Sequence, residues 1–345
     1  MSITNRTKTP PQGGENPSPR RRLLYFLIFG MVIALIAGGG FFLLYNDVTN
    51  RYKGERHDAV PVAAGVTLTA YLHFEEANVF PIGITAASNG DLYLSLFGRS
   101  AVKRVSDSGQ MTTAVPLTAP GAITLAPDGT LYVIDYSAPD FRALGTLKRI
   151  TPDGMVRFHA ETINQVGLPL FADLALDEVG NLYVSDPDKG VIWRVTPEGA
   201  ALVWWTIPLL GTTKAQPIGL AYEPSRKSLL IADAGTGTLY RAALTDSVPV
   251  GEPLYRAAGV NLRTVAVDSA GRIYLSLWQG DNGVVRRLEP DGTLTTIAEK
   301  FRAPLGMLAK GSVLYVVNSD ITGLIDQIGD KPPFTVDRLD LSVLP

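Results

Sequence analysis

Short runs of alternating apolar and polar residues fill most of the chain, and turns rich in glycine separate them. Period-two runs of about 4–8 residues bounded by Asn-Gly or Asp-Gly predict antiparallel strands joined by tight hairpins. The first four such runs lie at 83–87, 91–96, 101–105 and 111–115. This part of the chain is therefore predicted to be all-β.

The runs recur in units of about 43 residues between Pro81 and Leu341. Each unit has a Leu-Tyr-Val-like second strand and, further on, an Arg-apolar pair. The second-strand element begins at Leu92, Leu131, Leu182, Leu229, Ile273 and Leu314. The pair begins at Arg104, Arg149, Arg194, Arg241, Arg287 and, in degraded form, Gln327. Four antiparallel strands repeated six times predict a six-bladed β-propeller of four-stranded blades.

One further strand-like run, 66–74, precedes the first unit. Pairing with the last unit would close the ring, because an open ring would leave strand edges exposed. A strand that simply caps the first blade is the alternative.

A different pattern occurs near the N-terminus, where the 23 residues from Leu23 to Tyr45 carry no charge. A helix of this length can cross a bilayer. Because Arg20–Arg22 precede it and Asp47 follows it, we predict a single-pass signal anchor in the cell membrane with the N-terminus inside. A cleavable signal peptide is the alternative, since the stretch also contains small residues. The predicted organisation is a basic cytoplasmic tail (1–22), a transmembrane helix (23–45), a stalk (46–60) and an extracytoplasmic propeller (61–345).

Charge and cysteine content narrow the chemistry. The net charge of -2 combines a tail of +4 with a remainder of -6, so the propeller is acidic and no nucleic-acid partner is expected. The chain has no cysteine, which excludes disulfides, thiolate metal sites and a cysteine nucleophile. The partners predicted are the lipid bilayer, through 23–45, and a small molecule or protein at the propeller.

In each blade, the loops between the second and third strands and the connections between blades lie on one side, which we call the loop face. We expect binding there because variable loops on a regular scaffold usually carry it. The longest second-to-third loops are predicted in blades two and five, at 136–145 and 278–283. Aromatic, Arg and Asp side chains at a tunnel mouth suit a small organic ligand or a protein partner. The predicted ligand-binding residues are Phe97, Arg99, Tyr136, Phe171, Asp186, Arg263, Trp278, Asp281, Asn282, Arg302 and Asp320.

The inner strands begin with mostly small residues, and Asp173 is the only acid among them. It is the candidate catalytic residue, as a base or a ligand whose pKa is raised if it is desolvated. The structural alternative is a hydrogen bond to a backbone amide or an ion pair with Arg263. Acidic or amide residues follow the second strand in four blades, and we expect their side chains to cap loop amides. These residues are Asp135, Asp186, Asp233 and Asn318.

The segments 217–220, 229–233 and 239–241 resemble the NHL repeat. They are also similar to blades of the superfamily of gluconolactonase-like, strictosidine-synthase-like and paraoxonase-like propellers. The resemblance implies a divalent cation, usually calcium, held by Glu, Asn and Asp at the mouths of inner strands. Its metal positions match Pro81-Ile82, Pro120-Gly121, Phe171-Ala172, Pro217-Ile218, Leu262-Arg263 and Pro304-Leu305 here. None is a carboxylate or an amide, so we predict no cofactor, and calcium lacks its usual ligands.

Streptogramin-lyase-like propellers, which have similar blades, use histidine. None of His57, His73 and His159 is expected on the loop face. The favoured function is therefore a membrane-anchored extracytoplasmic propeller that binds a small ligand or a protein partner at its loop face. The alternative is a metal-dependent, lactonase-like or esterase-like hydrolase with a non-standard tunnel site. A sensor or assembly scaffold is a third hypothesis.

Overall fold

The structure, a computed structural model, describes residues 58–140, 142–244, 249–279, 282–321 and 332–344. Six antiparallel sheets form the described chain, and each inner strand contacts the inner strand of the next sheet. The last inner strand contacts the first, so the sheets close into a ring. The prediction of an all-β, six-bladed propeller is confirmed.

The chain enters through β1 (Val60–Pro61) and β2 (Thr67–Phe74). From the inner to the outer strand, blade one contains β3 (Pro81–Ala86), β4 (Leu92–Leu96), β5 (Ala101–Val105) and β6 (Met111–Pro116), and blade two contains β7 (Pro120–Leu125), β8 (Leu131–Tyr136), β9 (Gly145–Ile150) and β10 (Val156–Phe158). A short helix, α1 (Glu161–Val166), leads to blade three, which contains β11 (Leu174–Leu176), β12 (Leu182–Asp186), β13 (Val191–Val195) and β14 (Ala201–Thr206). Blade four contains β15 (Pro217–Glu223), β16 (Ser228–Asp233), β17 (Thr238–Ala243) and β18 (Gly251–Arg256), and blade five contains β19 (Asn261–Val267), β20 (Ile273–Gln279), β21 (Asn282–Leu288) and β22 (Leu294–Phe301). Blade six contains β23 (Pro304–Lys310), β24 (Val313–Asn318) and β25 (Phe334–Asp340).

The N-terminal strands complete the last two blades. β2 pairs antiparallel with β25 and is the outer strand of blade six, so the run at 66–74 closes the ring as expected. β1 pairs with β22 and adds a fifth strand to blade five. The beginning and the end of the propeller sequence thus share sheets, which covers edges that would otherwise be exposed.

The inner strands approach each other so closely that glycine is required at some positions. A Cβ atom added to Gly306 would lie 2.3 Å from the carbonyl oxygen of Ile82 on the neighbouring inner strand. One added to Gly219 would lie 2.6 Å from the carbonyl oxygen of Arg263. The backbones therefore pack against one another around a narrow central tunnel.

The third strand of blade six differs from its predicted position. Arg338 of β25 lies opposite Tyr315 of β24, as Arg104 lies opposite Tyr93 in blade one. The sixth Arg-apolar pair is thus Arg338-Leu339, and the assignment to Gln327, which lies outside the described residues, was wrong. Because the connection between these strands runs from 319 to 333, it is blade six, and not blades two and five, that has the longest second-to-third loop.

The predicted tail and transmembrane helix and the stalk up to residue 57 lie outside the described residues. Among the residues that are described, no helix is long and apolar enough to cross a membrane.

Candidate functional site

The central tunnel encloses a cavity of about 100 Å³. Inner-strand residues of all six blades line it, and most of them are aliphatic or glycine. Its charged lining residues are Asp173 of blade three and Arg263 of blade five. A narrow apolar space with two isolated charged groups is where desolvation changes side-chain chemistry most strongly.

A β-bulge places Arg263 in the tunnel. Leu262 lies opposite Leu277 and Val265 opposite Leu275, so β19 has one residue more than β20 at this point. Bulges occur often beside functional sites because they redirect a side chain. Here the guanidinium carbon lies 5.0 Å from the centre of the Phe171 ring and 4.5 Å from that of Trp278.

The Arg263 side chain has no anionic partner in the described structure. Its buried Nε donor lacks a hydrogen-bond acceptor, and no described carboxylate forms an ion pair with it. Burial lowers the pKa of its guanidinium to about 10, which still leaves the group charged at neutral pH. The two aromatic faces stabilise the cation through its positive charge but accept no conventional hydrogen bond.

Asp173 connects two blades. Its Oδ1 accepts a hydrogen bond from the amide of Leu174 at 2.8 Å, and its Oδ2 accepts one from the amide of Leu220 in blade four at 2.9 Å. Burial raises the pKa of this carboxyl to about 6, although the two amides act in the opposite direction. Of the structural alternatives, the amide hydrogen bonds are present, and among the described residues an ion pair with Arg263 is not.

A second cavity of about 260 Å³ lies on the loop face beside the tunnel. We call it the groove, and its lining residues are Arg142, Ala143, Leu144, Pro169, Leu170, Phe171 and Asp188. Phe171 lines both the groove and the tunnel. The two spaces therefore meet at its side chain.

Several other predicted site residues have structural contacts. Phe97 and Tyr136 are buried, and their ring centres are 5.7 Å apart. Asp186 is fully buried and accepts hydrogen bonds from the amide and the ammonium group of Lys189. It caps a loop, as Asp135 does, so neither its carboxylate nor the two rings are open to a ligand on this face.

The remaining predicted residues do not join the tunnel site. Arg302 and Asp320 form an ion pair of 2.8 Å. Arg99 and Asn282 are exposed and do not line the tunnel or the groove. Asp281 lies outside the described residues. Of the predicted set, the structure therefore brings together Phe171, Arg263 and Trp278.

Sequence reasoning missed the groove. Leu144, Pro169 and Leu170 are ordinary apolar residues in loops, and no motif distinguishes them from packing residues. Their one detectable signal is the length of the second-to-third loop of blade two, whose last part forms one wall.

The donor set does not fit the calcium ion that the resemblance implies. Calcium takes about 6–8 oxygen ligands. Among the described residues, Asp173 is the only carboxylate that lines the tunnel, and both its oxygens already accept hydrogen bonds from amides. Over the described ranges, no three His, Cys, Asp or Glu side chains are grouped closely enough to hold a metal ion.

Solved structures share this fold at low sequence identity. A gluconolactonase from Xanthomonas campestris is 14% identical with a TM-score of 0.60, over 84% of this chain and 99% of that one. A calcium-binding regucalcin from Agrobacterium tumefaciens is 16% identical with a TM-score of 0.56, over 79% and 94%. A virginiamycin B lyase from Staphylococcus aureus is 14% identical with a TM-score of 0.55, over 80% and 99%.

No protein-family model and no curated protein matches the sequence. At identities this low, structural similarity shows the fold alone and not the chemistry. The chain is a six-bladed β-propeller with gluconolactonase-like and regucalcin-like structural neighbours.

Proposed function

We propose that this protein is a membrane-anchored, extracytoplasmic propeller that binds a small organic anion at the loop-face mouth of its tunnel. The observation that carries the proposal is the state of Arg263. A desolvated guanidinium without an acceptor is costly, and an anionic ligand would supply the missing hydrogen bonds.

The geometry around Arg263 favours a carboxylate. Stacking over Phe171 and Trp278 uses the flat faces of the rings and leaves the N–H donors in the plane of the guanidinium. A carboxylate matches this edge with two parallel hydrogen bonds. The low dielectric of the tunnel strengthens such a pair relative to one on an exposed surface.

A small molecule is favoured over a protein partner at this position. Arg263 lines the tunnel itself, among inner-strand residues such as Ile218 and Leu305. A protein surface would have to insert a side chain into a cavity of about 100 Å³ to reach it. A small anion needs only to enter the mouth.

The proposed location comes from the sequence. The apolar residues 23–45, with arginines before them, support an anchor that leaves the propeller outside the cytoplasm. Protease accessibility on intact cells tests this part of the proposal separately, and a protected propeller would contradict it.

Isothermal titration with acetate and benzoate tests the binding function. We expect both anions to bind the wild-type protein and Arg263→Met to weaken benzoate binding at least tenfold. Arg99→Met is the matched control, because it removes an exposed loop-face arginine that does not line the tunnel. Equal binding by the wild type and Arg263→Met, or no binding of either anion, would refute the proposal.

One observation favours the hydrolase alternative. Asp173 has a pKa of about 6, which is in the range useful for a general base near neutral pH. Its two amide hydrogen bonds instead indicate a structural role. Hydrolysis of lactone or aryl-ester probes that is lost in Asp173→Asn, together with a melting temperature raised by calcium, manganese or zinc, would support the enzyme.

A further inference from the structure

The groove that meets the tunnel at Phe171 carries an inference about the ligand, which rests on the proposed function. We infer that the ligand is an amphipathic monocarboxylate, with its carboxylate at Arg263 and its apolar tail in the groove.

The sizes of the two cavities support an elongated ligand. Small-molecule pockets usually measure about 300–1,000 Å³. The tunnel cavity, about 100 Å³, is well below this range, whereas the addition of the groove, about 260 Å³, brings the combined space to its lower end. A ligand that used the tunnel alone would be little larger than its anionic group.

The lining of the groove is apolar where it adjoins the tunnel. Pro169, Leu170 and Phe171 form one continuous stretch of the lining, and Leu144 and Ala143 belong to the loop of blade two. Leu144 is 52% exposed, which is unusual for a leucine that lines a concave surface. An apolar tail would remove this surface from water, and each buried methylene contributes favourably to binding.

Phe171 connects the anionic and apolar parts of the proposed site. Its backbone adopts the left-handed conformation with a φ of 71°, which residues with side chains seldom take. In this conformation its ring packs against Arg263 and also lines the groove. Such strained conformations are frequent in ligand-binding sites.

The charges at the groove agree with a single anionic group. Arg142 and Asp188 are exposed lining residues of opposite sign, whereas the half-buried Arg263 faces the tunnel. A second carboxylate at the far end of the ligand would therefore lie near Asp188 as well as Arg142. A neutral, apolar end is better matched to this lining.

Calorimetry with linear saturated monocarboxylates from acetate to octanoate tests the inference, with the alcohols of equal length as probes without charge. We expect the affinity of the full-length protein to rise about threefold per added methylene, as burial of that group implies, until the groove is filled. The alcohols should bind at least tenfold more weakly than the carboxylates of the same length.

Leu144→Ser tests the groove directly, and Leu202→Ser is its matched control. The two leucines are equally exposed, at 52% and 53%, and Leu202 lies on the outer strand β14. We expect Leu144→Ser to weaken octanoate binding at least fivefold and to leave acetate binding unchanged, whereas Leu202→Ser should change neither.

The ways in which these experiments can fail are distinguishable. If acetate binds through Arg263 but affinity does not rise with chain length, or Leu144→Ser binds octanoate normally, the inference about the tail is wrong and the proposed function stands. If no carboxylate binds, or alcohols bind as tightly as carboxylates, the anion-binding function itself is wrong.

Discussion

Two arginines of the loop face, Arg263 and Arg302, show how the same residue type can have different roles in one ring. The Arg302 guanidinium lies 2.8 Å from Asp320 and also donates to the backbone carbonyl of Pro333. The buried Arg263 Nε donor has no hydrogen-bond acceptor among the described residues, and its guanidinium lies over two aromatic rings. The protein supplies the anion for one of these arginines and leaves it to be supplied for the other.

The difference concerns partners and not position. Both side chains come from the region where an inner strand begins, on blades five and six. A buried charge with a complete set of hydrogen bonds holds the structure together, whereas one without acceptors is a candidate for ligand binding. Mutations that change the two arginines separately can test this distinction.

The largest effect is expected for Arg302→Met. The ion pair is largely buried, with side-chain exposures of 10% for Arg302 and 14% for Asp320. Removing one partner leaves the other charge buried and unpaired, which costs about 3–5 kcal/mol of unfolding free energy. Urea denaturation followed by circular dichroism measures the loss, and Asp320→Asn should show a loss of the same sign. A loss below about 1 kcal/mol would contradict the structural role assigned to this pair.

The second prediction concerns the pH dependence that Asp173 gives to stability. Its pKa is about 6 in the folded protein, against an ordinary value of 3.8. Between these values the folded state holds a proton that the unfolded state has lost, so stability falls as the pH rises from about 4 to about 7. The decrease attributable to this group is about 3 kcal/mol, at 1.36 kcal/mol per pKa unit.

The difference in unfolding free energy between the wild type and Asp173→Asn, measured from pH 4 to pH 8, isolates this contribution. The wild type should become less stable relative to the variant as the pH rises through 6, and the difference should be constant above about pH 7. A difference that moved the other way would show that Asp173 is stabilised as a carboxylate, as it would be beside Arg263. Arg263 would then have an internal partner, and the contrast with Arg302 would disappear.

The blades were predictable from sequence because their signals are local. Tyr93 and Arg104 are separated by one hairpin, and the same pairing recurs around the ring. The pattern failed in blade six, where a longer connection delays Arg338 and the intervening Gln327-Ile328 imitates the expected spacing. An irregular loop length is the kind of change that a repeat alone cannot reveal.

The site was only partly predictable, because its contacts join distant blades. Sequence spacing placed Phe171, Arg263 and Trp278 on the loop face, but the ring brings blade three next to blade five across the tunnel, and the bulge in β19 turns the arginine inward. The same closeness of blades buries Phe97 against Tyr136, which the sequence placed among the binding residues. Tertiary packing, which no local pattern specifies, decided both outcomes.

The smallest expected effect has the opposite sign to that of Arg302→Met. Replacement of Arg263 by methionine keeps an apolar side chain of similar length and removes a desolvated charge, while the attraction between the cation and the two aromatic rings, which the variant lacks, is worth about 0.5–2 kcal/mol. Because apolar replacement of buried charges often stabilises proteins, we expect the unfolding free energy to rise by about 1–2 kcal/mol. Urea denaturation without added anions measures it, and the exposed Arg99→Met should change stability by less than about 0.5 kcal/mol. A destabilisation as large as that of Arg302→Met would show that Arg263 has a structural role after all, and the anion site would lose its main support.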